Sequence, residues 1–139
     1  MSNPPEVTGI LETVLYYAPG QGPVMERFYL ELMGFRRIGG GSEGGPPFLF
    51  LRAGGSVILL FDREASLSKQ SPPHHGAAGP GHVCFLVPEA NYEEWKAHLR
   101  TRDISIEEEA SWPRGGRSFY FRDPAGNTLE IANRDFWPE

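Results

Sequence analysis

The feature that most constrains this 139-residue chain is an internal repeat. Phe48, Phe50, Gly55 and Leu59 return 71 positions later as Phe119, Phe121, Gly126 and Glu130. Near the start of each half, strand-like runs align at an offset of 70, which sets Glu12 opposite His82. Self-similarity of this kind signals two copies of one supersecondary unit, and equivalent positions of such copies meet around a common centre. Glu12, His82 and Glu130 hold those positions, and they are side chains suited to a divalent metal.

The hydrophobic pattern fills in the unit. Residues 10–17, ILETVLYY, are apolar at both parities, as in a strand covered on both faces. After the turn APGQGP, Val24, Phe28 and Leu32 recur at helical spacing, so a helix is expected from about Pro23 to Met33, with Gly34 as its cap. Gly39 to Pro47 reads as a turn-rich loop, and strands are expected over residues 48–52 and 56–61. From Arg63 to Pro80 the hydrophobic period disappears, which marks the connection between halves. The second half opens with the strand GHVCFLV and continues into a helix with Tyr92, Trp95 and Leu99 on its buried stripe and Asn91 as N-cap. A strand over residues 104–109 and a hairpin turning at Asp123-Pro124-Ala125-Gly126-Asn127 complete it. The expected architecture is α+β: one domain over residues 1–139, with βαβββ modules at 8–62 and 81–133 joined by a linker at 63–80. Each helix covers one sheet face, and the two bare faces form a curved mixed sheet around a cavity, where function is expected.

Thirteen Lys and Arg against 18 Asp and Glu give a net charge of −5, which offers no electrostatic footprint for nucleic acid. Cys84 is the single cysteine, and the N-terminal MSNPPEVTG has neither the basic segment nor the apolar run of a signal peptide. No apolar stretch approaches the roughly 20 residues that span a bilayer. A soluble cytoplasmic protein with no membrane or nucleic-acid partner is expected.

A buried carboxylate costs several kcal/mol unless it is paired, hydrogen-bonded or metal-bound, so Glu12 inside an apolar strand needs an explanation. Alternation places Glu12 with Ile10, Val14 and Tyr16, Glu130 with Thr128 and Ala132, and His82 with Cys84 and Leu86, all on inner faces. Two carboxylates and an imidazole make an open N/O site that neutralises a divalent cation and leaves positions for water or substrate. Cys84 is read as core packing. The competing reading pairs these acids with Arg36, Arg52, Arg117 or Arg122.

From ILETVLYYAPG through FYLELMGFRR and GPGHVCFLV to RSFYFRDPAGNTLEI, the chain resembles the vicinal oxygen chelate superfamily, which includes glyoxalase I, extradiol dioxygenases and the fosfomycin- and bleomycin-resistance proteins. The resemblance implies paired βαβββ modules in a homodimer and Glu130 as terminal metal ligand. It also implies a divalent ion, Mn, Fe, Ni or Zn, chelated by adjacent oxygens of a small-molecule substrate. At Glu12 many dioxygenases and fosfomycin-resistance proteins have histidine, and at Leu59 glyoxalase I has a fourth metal ligand. Glu12 and Glu130 are the candidate bases. Val57, Leu59 and Phe61 are read as an apolar wall of the cavity and Phe119 and Phe121 as an aromatic one. Arg114 and Arg117 are candidates for holding an anionic group, and Tyr16 and His75 for contacting substrate. The class expected is a metal-dependent lyase, isomerase or dioxygenase. The alternatives are a metal-free protein that sequesters a drug or metabolite and a small structural dimer.

Overall fold

The computed structural model describes residues 3–41 and 45–139, and residues 42–44 of the expected Gly39–Pro47 loop lie outside the described residues. The first unit comprises β1 (Glu12–Tyr17), α1 (Gly22–Arg27, continued by a π-helical turn Phe28–Leu32), β2 (Arg36–Gly40), β3 (Phe48–Ala53) and β4 (Ser56–Asp62). After α2 (Arg63–Ser68), the second unit comprises β5 (His82–Leu86), a 3-10 turn (Glu89–Asn91) leading into α3 (Tyr92–Thr101), β6 (Glu108–Ser111), β7 (Arg117–Arg122) and β8 (Thr128–Ala132). Two separate four-stranded sheets result, ordered β1-β4-β3-β2 and β5-β8-β7-β6. In each, the first strand runs parallel to the last and the other pairings are antiparallel.

Several boundaries differ from the sequence reading. Ile10 and Leu11 stand outside β1 and are 84% and 77% exposed. The linker begins with a helix, because Asp62 caps it by accepting from the backbone N–H groups of Glu64 and Ala65 at 3.0 and 3.1 Å. Asn91 holds its N-cap position, but its amide donates to Glu94 instead of accepting from the backbone. Among the described residues no helix is long and apolar enough to cross a membrane.

One register difference matters more. β4 pairs Leu59 with Phe50, whereas β8 pairs Glu130 with Tyr120. The first hairpin closes from Ala53 to Ser56 around two residues, and the second closes from Asp123 to Asn127 around three. The extra residue is accommodated by Gly126, whose φ of +88° lies in the left-handed region. The offset of 71 therefore holds for β8 but becomes 70 in β7, and a one-residue slip exchanges the two faces of a strand. Phe119 and Phe121 correspond to Leu49 and Leu51, and all four are buried under helices. Neither phenylalanine forms a cavity wall. Tyr120 takes the face of Glu130.

One apolar core serves both units, joining Leu15, Met25, Tyr29, Leu51 and Leu60 to Leu99, Phe119, Phe121, Leu129 and Ile131. Each fully buried side chain of this size contributes about 1.5–3 kcal/mol. Contacts between the halves run through this helix side: Phe28 lies 6.5 Å from Phe121 and Phe35 lies 5.2 Å from Phe85. The open sheet faces remain outside the shared core.

Candidate functional site

His82 and Glu130 meet on the open face of the second sheet, with Nε2 3.3 Å from Oε1. Parallel pairing of β5 with β8 sets the approach, since His82 faces Thr128 and Cys84 faces Glu130 in the register. The imidazole Nδ1 lies 2.8 Å from the Thr128 carbonyl. A carbonyl oxygen only accepts, so Nδ1 carries a proton, and the ring turns its Nε2 towards Glu130 Oε1. A backbone acceptor of this kind is what orients metal-binding histidines.

Glu130 is buried, and among the described residues its Oε2 has no hydrogen-bond partner. Native structures seldom leave a buried polar atom unpartnered, because the desolvation costs about 1–3 kcal/mol and more for a charge. The neighbours record its influence. Cys84 is exposed on the open face and lies outside the core packing that the sequence suggested, yet desolvation by the atoms around it first, and then the negative charge of Glu130, pushes its thiol up to about 12. The Tyr120 phenol is raised by burial and then by the same carboxylate, and its ring lies 6.3 Å from that of His82. Tyr120 is the site residue that the repeat alignment missed. The longer Asp123–Asn127 turn was the signal that could have found it.

Glu12 does not join this pair within one chain. It is exposed at the start of β1. It lines a groove of about 650 Å³ together with Ile10, Val57, Cys84 and Leu86. Among the described residues, no three His, Cys, Asp or Glu side chains come together as a metal-holding group. The reason is architectural. β1 and β5 are edge strands of different sheets, and the halves adhere through their helix sides.

Other expected residues also fall elsewhere. Arg117 is on the helix side of β7, its guanidinium 2.9 Å from Glu93 and 4.8 Å from the centre of the Tyr92 ring. It thus lies on the opposite face of the sheet from Glu130. Arg114 is exposed in the turn between β6 and β7. Arg122 is the arginine on the strand side of Tyr120, and it is engaged by Glu107 at 2.9 Å. On the first sheet, Val57, Leu59 and Phe61 share the open face with Glu12, Val14 and Tyr16, each pair in register. The Tyr16 hydroxyl and His75 Nδ1 are hydrogen-bonded, and His75 packs edge-on against Phe61 at 5.2 Å. This cluster lies four residues along β1 from Glu12, about 13 Å away.

The donor chemistry fits a divalent ion in part: an imidazole whose Nδ1 is held by a backbone carbonyl and an unpartnered carboxylate oxygen, awaiting at least one further donor. A family model for the Glyoxalase/Bleomycin resistance protein/Dioxygenase superfamily matches residues 20–131. The chain belongs to that superfamily. A lactoylglutathione lyase from Agrobacterium tumefaciens is 33% identical, with 95% of this chain and 98% of that one covered and a TM-score of 0.85. A glyoxalase family protein from Enterococcus faecalis shares the fold at 24% identity over 90% of this chain and 97% of that one, TM-score 0.63. A glyoxalase/bleomycin resistance protein/dioxygenase from Nocardioides does so at 21% identity over 95% and 84%, TM-score 0.65. Curated proteins yield no match. In this superfamily member the second-sheet pair His82 and Glu130 is the candidate metal centre.

Proposed function

We propose that this chain is a divalent-metal-dependent enzyme of the lyase or isomerase type, acting on a small substrate with adjacent oxygens. The observation that carries this reading is the buried, unpartnered Glu130 Oε2 beside an imidazole whose Nδ1–H is already given to Thr128. His82 and Glu130 would hold the ion, and Glu12 of a second copy would add the third donor. When bound, a divalent cation supplies Lewis acidity to the substrate oxygens and stabilises negative charge developing on them.

The chain's own groups account for the rest. Glu130 Oε2 is available to take a proton from carbon and return it to a neighbouring position, the cycle of a general base that becomes the acid. Tyr120 stays protonated because burial raises its phenol, and it can donate a hydrogen bond to a substrate oxygen. The half-buried Val57, Leu59 and Phe61 would exclude water on the face that carries Glu12. Two carboxylates with one imidazole differ from the two-imidazole, one-carboxylate set of iron oxygenases, which favours redox-neutral chemistry. The likeness to a lactoylglutathione lyase points the same way.

The test is metal content after purification without chelator, for the wild type and Glu130→Gln. A stoichiometric divalent ion that falls by at least tenfold in the variant supports the reading. Equal content in both removes Glu130 as a ligand and overturns the proposed centre, and none in the wild type after exposure to Mn, Fe, Ni and Zn overturns metal dependence and favours metal-free sequestration.

A further inference from the structure

The Asp123-Pro124-Ala125-Gly126-Asn127 turn carries more polar bonding than a hairpin needs. Asp123 Oδ1 accepts from the backbone N–H groups of Ala125 and Asn127 at 2.9 and 3.0 Å, which suffices to fix the turn. The remaining bonds reach outward. Asp123 Oδ2 accepts from the Tyr29 hydroxyl at 2.7 Å and from Asn127 Nδ2 at 2.9 Å. Asn127 Nδ2 also reaches the Tyr16 carbonyl at 3.2 Å, and Asn127 Oδ1 accepts the Gly81 N–H at 2.8 Å. Asn127 is almost fully buried, so each of these partners replaces water.

The Gly81 bond leads directly to the candidate metal centre. Gly81 precedes His82, its carbonyl accepts the Thr128 N–H at 2.9 Å, and the Thr128 carbonyl in turn faces His82 Nδ1. The geometry points to Asn127 as a positioning residue for His82: its side-chain amide fixes Gly81, and so the register at which the Thr128 carbonyl selects the imidazole tautomer. A Cβ at Gly81 would lie 2.9 Å from Leu15 Cδ2 and 3.2 Å from Asn127 Oδ1, so the backbone is clamped between the two units. Tyr29 belongs to the same polar node but touches neither Gly81 nor Thr128.

This inference rests on the proposed metal centre for its purpose, yet its test reads the histidine itself. The side-chain nitrogens of His82 are observed by long-range proton–nitrogen NMR in the metal-free full chain, at alkaline pH where histidine rings are neutral. Wild type should show a single Nδ1–H tautomer. Asn127→Ala should give a mixture of tautomers and weaken Ni²⁺ binding by about 10–100-fold. Tyr29→Phe should preserve both while lowering Tm. A single unchanged tautomer in Asn127→Ala, or equal disturbance in Tyr29→Phe, overturns the assignment. Should Asn127→Ala not fold, Asn127→Ser decides: its short hydroxyl leaves a polar group in the node but removes the acceptor for Gly81, so a mixture of tautomers should again appear, and a single unchanged tautomer would overturn the inference. A wild type that binds no metal would refute the metal centre while leaving the tautomer result to judge Asn127.

Discussion

Glu130 combines two costs in the metal-free chain, a buried charge and an oxygen without a partner. Replacing it with glutamine removes the charge while nearly keeping the shape, so Glu130→Gln should raise the stability of the metal-free protein by about 1 kcal/mol, or about 3 °C in Tm. Calorimetry in the presence of a chelator measures this, and a lowered Tm would mean that the carboxylate is a structural ion-pair member. The same substitution should ease ionisation at Cys84. Desolvation would still hold the thiol high, but the carboxylate's part in raising it to about 12 would vanish. Alkylation of Cys84 by iodoacetamide at fixed alkaline pH should therefore run severalfold faster in Glu130→Gln, since the thiolate is the reacting form. An unchanged rate would place the Glu130 charge away from Cys84.

Among the elements, α3 is held to the second sheet by a polar clamp. Glu109 of β6 accepts from Lys96 at 2.8 Å and from the Tyr92 hydroxyl at 2.7 Å, with Arg117 beside them. Those two hydrogen bonds, Lys96 foremost, hold the Glu109 carboxyl below its ordinary 4.5. A carboxyl with a depressed folded value stabilises the fold above its unfolded value, and that contribution is lost as pH falls through the folded one. Acid unfolding of Glu109→Gln should thus show a shallower loss of stability below about pH 4.5 than wild type, at a cost near neutrality of about 0.5–1 kcal/mol, since Glu109 is exposed and solvent screens the pair. Parallel pH profiles would remove Glu109 from the clamp. The elements themselves were largely legible in the sequence, because Val24, Phe28 and Leu32, or Tyr92, Trp95 and Leu99, announce a helix by spacing alone. The face of β7 was not legible, since an offset carried across the hairpin could not reveal that one turn holds an extra residue. The early part of the linker escaped for another reason: α2 is set by the Asp62 cap, which leaves no hydrophobic period. Of the site, His82 and Glu130 followed from the repeat, but the position of Glu12 depended on how two sheets sit relative to each other, which no spacing encodes.

At the scale of the whole molecule, the repeat generates two open faces that one chain does not close upon each other. The first presents Glu12 with Val57, Leu59 and Phe61, and the second presents His82 with Tyr120 and Glu130. Ile10 and Leu11 before β1, and Leu86 at the end of β5, are exposed apolar groups along the same edges. A two-fold dimer would set the first face of each copy against the second face of the other, covering these groups and creating two equivalent centres. Complementation tests this arrangement. Glu12→Ala and His82→Ala should each bind little metal alone. After subunit exchange at equal concentrations, half of the dimers are mixed, and each mixed dimer has one centre with Glu12 from one copy and His82 and Glu130 from the other. About one quarter of the wild-type metal content should return. Recovery in proportion to the fraction of mixed dimers, above the little bound by the unmixed variants, identifies the shared centre. If size exclusion shows exchanged dimers but no metal returns, Glu12 is not the missing donor.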